Sequence, residues 1–217
     1  MKFFRFDGPF HNFMGRIFDL MLLHLLWVLC SLPVITIGAS TSALLTVTLK
    51  MAKNEEAYIV KSFWKAFRSN LKQGTKLWII VAGVFTWLIL VMKICMAGNN
   101  EMLKILAIPN AGLLVVAVLA LMYVFPIQAM FENSVGNILK NSLICSLRYL
   151  PYSILLAGVI VVPILLTGFV ESIFPFMVTL WIFGGSSLIA FADSFILNRV
   201  FAQVIGVENV QADIQSR

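Results

Sequence analysis

A 217-residue chain that is 60% hydrophobic and only 12% charged, with a mean hydropathy of +0.95, stands far from a water-soluble domain, where about a quarter of the residues carry charge. Such a composition excludes a soluble globular fold, because no water-facing surface can be assembled from so few polar side chains. The net charge of +6 then becomes a matter of membrane topology rather than of nucleic-acid recognition.

Runs long enough to cross about 30 Å of hydrocarbon recur along the chain. Lipid offers backbone amides no partner, so these runs are read as helices, and the short alternating segments of a membrane barrel are absent. A basic arm with Lys2, Arg5 and Arg16 leads into the first run, 17–37, which Pro33 breaks. Asp19 and His24 interrupt this run and no small-x-small cleavage site follows, so the segment reads as retained rather than as a signal peptide. Taken as one crossing, it gives five spans and leaves five of the 16 Lys and Arg outside. Taken as a hairpin of 17–32 and 39–52, it gives six spans with both termini cytoplasmic, and only Lys93 and Lys104 lie outside. The hairpin is the better reading. Its second helix spans only about 21 Å at 1.5 Å per residue, so it is expected to be re-entrant, tilted or shielded by neighbours.

Next comes a segment, 55–73, without proline, whose apolar positions Tyr58, Ile59, Phe63, Ala66 and Phe67 recur at helical spacing while Lys61, Lys65, Arg68 and Lys72 occupy the remainder. It predicts a cytoplasmic amphipathic helix in the membrane interface. There Phe63, Trp64 and Phe67 would enter the acyl chains, and Lys65, Arg68 and Lys72 would meet anionic headgroups at about 1 kcal/mol per cation. The same residues could instead dock a partner protein. Spans at 77–97, 105–130, 150–170 and 173–197 complete the chain, with an external turn at Glu171. The expected fold is therefore a single all-α domain over 1–217, a polytopic bundle in the bacterial cytoplasmic membrane.

Polar groups inside spans are costly and are the place to look for chemistry. Asp19, His24 and Asp193 are the candidates for an intramembrane polar pathway; alternatively Asp19 pairs with Arg16 and Asp193 with a basic neighbour at the membrane edge. Pro109, Pro126, Pro163 and Pro175 bend spans or flank them. The patches Gly38-Ala39-Ser40-Thr41-Ser42 and Gly184-Gly185-Ser186-Ser187 suit close helix packing. The sequences Val81-Ala82-Gly83-Val84 and Leu156-Ala157-Gly158-Val159 hint at an internal repeat. Trp27, Trp78, Trp87 and Trp181 fit interface belts, and Cys30, Cys95 and Cys145 have neither disulfide nor metal-ligand spacing. No phosphate loop, HExxH, GxSxG or paired CxxC occurs, so neither enzyme, metal nor cofactor is expected.

Three segments carry a family resemblance: Met14-Gly15-Arg16 before the first helix, Leu32-Pro33-Val34-Ile35-Thr36-Ile37-Gly38-Ala39-Ser40, and Ser62-Phe63-Trp64-Lys65-Ala66-Phe67-Arg68-Ser69-Asn70-Leu71-Lys72-Gln73. Together they resemble the YesL family of bacterial membrane proteins, densest over 15–76. The resemblance implies a Gram-positive membrane protein of unknown function, from a family whose genes often lie beside those for polysaccharide breakdown and binding-protein-dependent sugar import. It brings no established site residues. Two functions are expected to compete: a non-catalytic accessory or regulatory component working with the permease subunits of an ABC-type carbohydrate importer, and a small self-contained secondary transporter or channel, for which a homo-oligomer is one arrangement.

Overall fold

The computed structural model describes residues 9–55, 58–97, 101–169 and 174–215, with side chains placed over 13–55, 58–97, 103–169 and 174–206. The basic arm at Lys2 and Arg5, the Glu171 turn and the tail at Arg217 lie outside the described residues. The described elements are helical: α1 (Pro9–Ser31), a 3-10 turn (Val34–Thr36), α2 (Ile37–Ala52), α3 (Ile59–Ala97), α4 (Glu101–Met130), α5 (Val135–Arg148), α6 (Leu150–Phe169) and α7 (Phe174–Gln215). Six stretches, in α1, α2 with its preceding turn, α3, α4, α6 and α7, are long and apolar enough to cross a membrane, which fits a multi-pass membrane protein.

Local chemistry sets the first hairpin. Pro33 lacks an N–H and disfavours helical backbone at Leu32, so α1 stops at Ser31. The Thr36 hydroxyl then reaches the carbonyls of Cys30 and Pro33, each at 2.7 Å, and so occupies an orphan acceptor at the end of α1. At the other end of α2 the chain reverses through Asn54, whose φ of 59° is left-handed. Asn54 N–H donates to the Met51 carbonyl and Glu55 N–H to that of Lys50, closing the helix end. Arg16 donates to the Asn54 side chain, tying the start of α1 to this corner.

α2 is the centre of the bundle. It is wrapped by α1, α3, α4 and α7, and 61% of its apolar window is buried inside the protein, against 22% or less for the other five spans. Shielding by neighbours is thus what a helix this short receives. Its partner along α3 is the amphipathic half, because Gly38, near the start of α2, lies against Gly74 and Trp78. From Gly74 to Ala97, α3 climbs about 34 Å further at 1.5 Å per residue. It does so beside α4, where the Asn110 amide donates to the Leu88 carbonyl at 3.1 Å.

One expectation is corrected here. The segment 55–73 was read as a separate interfacial helix, but α3 runs unbroken for 39 residues from the amphipathic stretch into the apolar span. Nothing between Gln73 and Lys76 breaks a helix except Gly74, and Gly74 is pinned against α2.

The core gathers around α2: Leu23, Val47, Leu49, Phe63, Leu77, Tyr123, Leu156, Leu197 and Phe201 are essentially inaccessible. The outer faces of α3, α4, α6 and α7 expose Ile79, Trp87, Ile94, Ile108, Leu155, Phe176 and Ile182. In water so large an apolar surface would aggregate; in lipid it is the ordinary outer wall of a bundle. Arg16 of α1 and Asn198 of α7 both lie at the corner that carries Lys50 and Lys53, since Arg16 meets Asn54 and the Asn198 amide donates to the Leu49 carbonyl at 3.2 Å. This corner is called the basic end below.

Candidate functional site

The amphipathic half of α3 has three faces. Ile59, Phe63, Ala66, Phe67, Gly74 and Leu77 point into the core; Tyr58, Lys61, Ser62, Lys65, Ser69 and Gln73 line a cleft; Trp64, Arg68 and Lys72 form an outward stripe at four-residue spacing. This corrects a second expectation. Phe63 is 0% exposed and Phe67 only 8%, stacked 6.2 Å apart inside the protein, so neither reaches acyl chains or a partner. Trp64, 43% exposed, does remain outside, with the Arg68 guanidinium over its ring at 5.1 Å. Of the six residues expected at a contact surface, Trp64, Arg68 and Lys72 share the stripe and Lys65 belongs to the cleft.

The cleft is about 930 Å³ and opens at the basic end, between this half of α3 and the segment Gln128–Ser134 that joins α4 to α5. Lys50, Lys61 and Lys65 line it with Glu132, the one carboxylate among the described residues of its lining, and with hydroxyl and amide groups of Thr46, Ser69, Asn70 and Asn133. Gln73 donates to the Asn133 carbonyl and so fixes the α4–α5 corner across the cleft. On the inner wall, one end of the Gln128 amide is held by the Ser42 hydroxyl at 2.6 Å, while the other end is buried with no partner. The Gln128 amide thus keeps one unused donor behind a cleft wall that carries lysines. Sequence reading missed Gln128, which sits in a run of apolar residues; its one signal was an amide within a span.

A second polar feature runs through the helices. Ser187 donates to the Leu20 carbonyl at 2.7 Å, His24 Nδ1 and Ser186 Oγ lie 2.7 Å apart, and Ser194 bonds Thr48 at 2.9 Å. These contacts hold α7 against α1 and α2. Both small-residue patches therefore act as packing surfaces, joined by hydroxyls. Of the three candidate pathway residues, His24 and Asp193 are buried along α7, whereas Asp19 sits about 140° around α1 from His24 at 100° per residue, half-buried and near Arg16. Asp193 lines a different cavity, of about 380 Å³ and almost wholly apolar, between α2, α4, α6 and α7.

With this geometry in hand, comparison with known proteins adds the following. The chain matches the family described as "Protein of unknown function, DUF624" over residues 20–93, which cover most of α1, all of α2 and most of α3. It is also similar to the "Uncharacterized protein YteU" of Bacillus subtilis (strain 168), 29% identical over 160 residues that make up 71% of this chain and 70% of that protein. No solved structure matches.

Proposed function

We propose that this chain is a non-catalytic accessory or regulatory component of carbohydrate uptake in the bacterial cytoplasmic membrane, with its basic end and both termini in the cytoplasm. Its cleft docks an acidic, hydrogen-bonding segment of an ABC-type importer permease. The observation that carries the docking reading is the cleft itself: Lys61 and Lys65 with a half-bonded buried amide in a space of about 930 Å³, placed beside the basic loops that the positive-inside rule assigns to the cytoplasm. The link to sugar import rests on the YesL resemblance. Trp64, Arg68 and Lys72 are then the lipid contact that orients the docking face, the ring entering the interface and the cations meeting anionic headgroups.

A photo-crosslinking amino acid at Ser69, exposed and inside the cleft, tests this in the native host growing on polysaccharide. Capture of an importer permease polypeptide, lost in Lys61→Glu/Lys65→Glu and absent when the crosslinker sits at the lipid-facing Ile79, is the expected result. Capture of lipid or of a second copy alone contradicts it and moves the reading to a self-contained transporter.

A further inference from the structure

We propose that the cavity alongside α2 is a binding site for a small lipophilic organic cation, with Asp193 as counter-ion and Trp27, Trp78 and Trp181 as aromatic wall. Three observations lead there. First, the cavity lies along α2, whose Ile37, Thr41, Leu44 and Leu45 form one wall, with α4, α6 and α7 opposite; its volume of about 380 Å³ is within the usual range for a small-molecule pocket.

Second, the cavity is apolar except at one point. One face of α7 lines it through Ser186, Ile189, Ala190, Asp193 and Leu197, at helical spacing. Among the described residues of its lining, Asp193 alone is ionisable. Its carboxylate is more than nine-tenths buried, and Oδ1 has no hydrogen-bond partner. The Asn198 amide, five residues further along α7, is already committed to the Leu49 carbonyl. A carboxylate in hydrocarbon without a partner is costly. A bound cation would remove that cost.

Third, the other walls suit such a ligand. Trp27 and Trp181 are held in place by indole N–H bonds to Thr41 at 3.3 Å and Thr167 at 3.0 Å, and Trp181 lies across Gly185, where a Cβ would stand 2.5 Å from its ring. A carboxylate in an apolar cavity attracts a soft, poorly hydrated cation, whereas a hydrated metal ion would lose its water shell for one oxygen ligand; the indoles, of which Trp181 stands about 18 Å along α7 from Asp193 at 1.5 Å per residue, wall the rest of the space. The ligand class is therefore a quaternary ammonium or phosphonium, or a protonated amphiphilic amine.

The probe is methyltriphenylphosphonium, with methyltriphenylborate as its twin in shape and opposite in charge, titrated into the full chain in detergent while tryptophan fluorescence is followed. The expected result is saturable quenching at one cation per chain, at least tenfold weaker in Asp193→Asn, with no competition from the borate. Equal affinity in Asp193→Asn, equal competition by the borate, or no saturable binding overturns the proposal. Ile160→Trp, which fills the cavity from α6 and leaves the carboxylate intact, serves where Asp193→Asn does not yield folded protein: loss of binding supports the site, and unchanged binding overturns it.

Discussion

Gly38 and Gly74 meet backbone to backbone: a methyl group on Gly38 would lie 2.3 Å from the Gly74 carbonyl oxygen, and one on Gly74 would lie 2.8 Å from the Ala39 Cα. This contact sets the register of α2 on α3 and so positions both the cleft at the basic end and the cavity alongside α2. Gly74→Ala is expected to destabilise the bundle by about 1–3 kcal/mol, the cost of overpacking a filled interface. Gly83→Ala on the same helix faces open space and is expected to be neutral or stabilising by up to about 1 kcal/mol. Thermal unfolding of the two variants in detergent separates them, and equal melting temperatures would refute the close contact.

Phe63 and Trp64 are neighbours in sequence with opposite roles. Phe63→Ala removes a fully buried ring and should cost about 3–5 kcal/mol. Trp64→Ala loses an exposed ring and one cation–π contact, worth about 0.5–1 kcal/mol, and should instead weaken retention on anionic liposomes of a soluble peptide covering 59–76. If Trp64→Ala proved as destabilising as Phe63→Ala, the assignment of faces on α3 would be wrong.

How much of this was legible in the sequence follows from what kind of signal each feature leaves. Spans leave long apolar runs, and the hairpin at Pro33 left both a helix breaker and a charge imbalance that only an even number of crossings repairs. The three-faced character of α3 was not legible, because Phe63 and Phe67 on the core face are as apolar as a lipid-facing stripe would be. Hydropathy cannot tell protein from lipid as the apolar surroundings. The Ser42–Gln128 bond and the orphaned Asp193 Oδ1 depend on helices brought together from 86 residues apart or on a cavity between four helices, and no local pattern records either.

Ser42→Ala is expected to leave the Gln128 amide without a partner at either end, costing about 1–3 kcal/mol. The double variant Ser42→Ala/Gln128→Leu should recover most of that loss, since no unpaired polar group remains. Unfolding midpoints of the two singles and the double complete the cycle; strict additivity would show that the two side chains do not interact.

Asn54 turns the chain with a left-handed backbone and receives a hydrogen bond from Arg16. Asn54→Ala should cost about 1–2 kcal/mol through strain alone, whereas Asn54→Gly keeps the turn and loses only the Arg16 contact. Melting temperatures in the order parent, Gly, Ala are expected. Ala equal to parent would contradict the left-handed corner.

The account turns on which side of the membrane the cleft faces. In a chain whose Cys30, Cys95 and Cys145 are alanine, Ser69→Cys places one thiol at an exposed position in the cleft. A membrane-impermeant maleimide should label it in inside-out vesicles and leave it unlabelled in intact cells. Labelling in intact cells would put the cleft outside and contradict the docking function at its root.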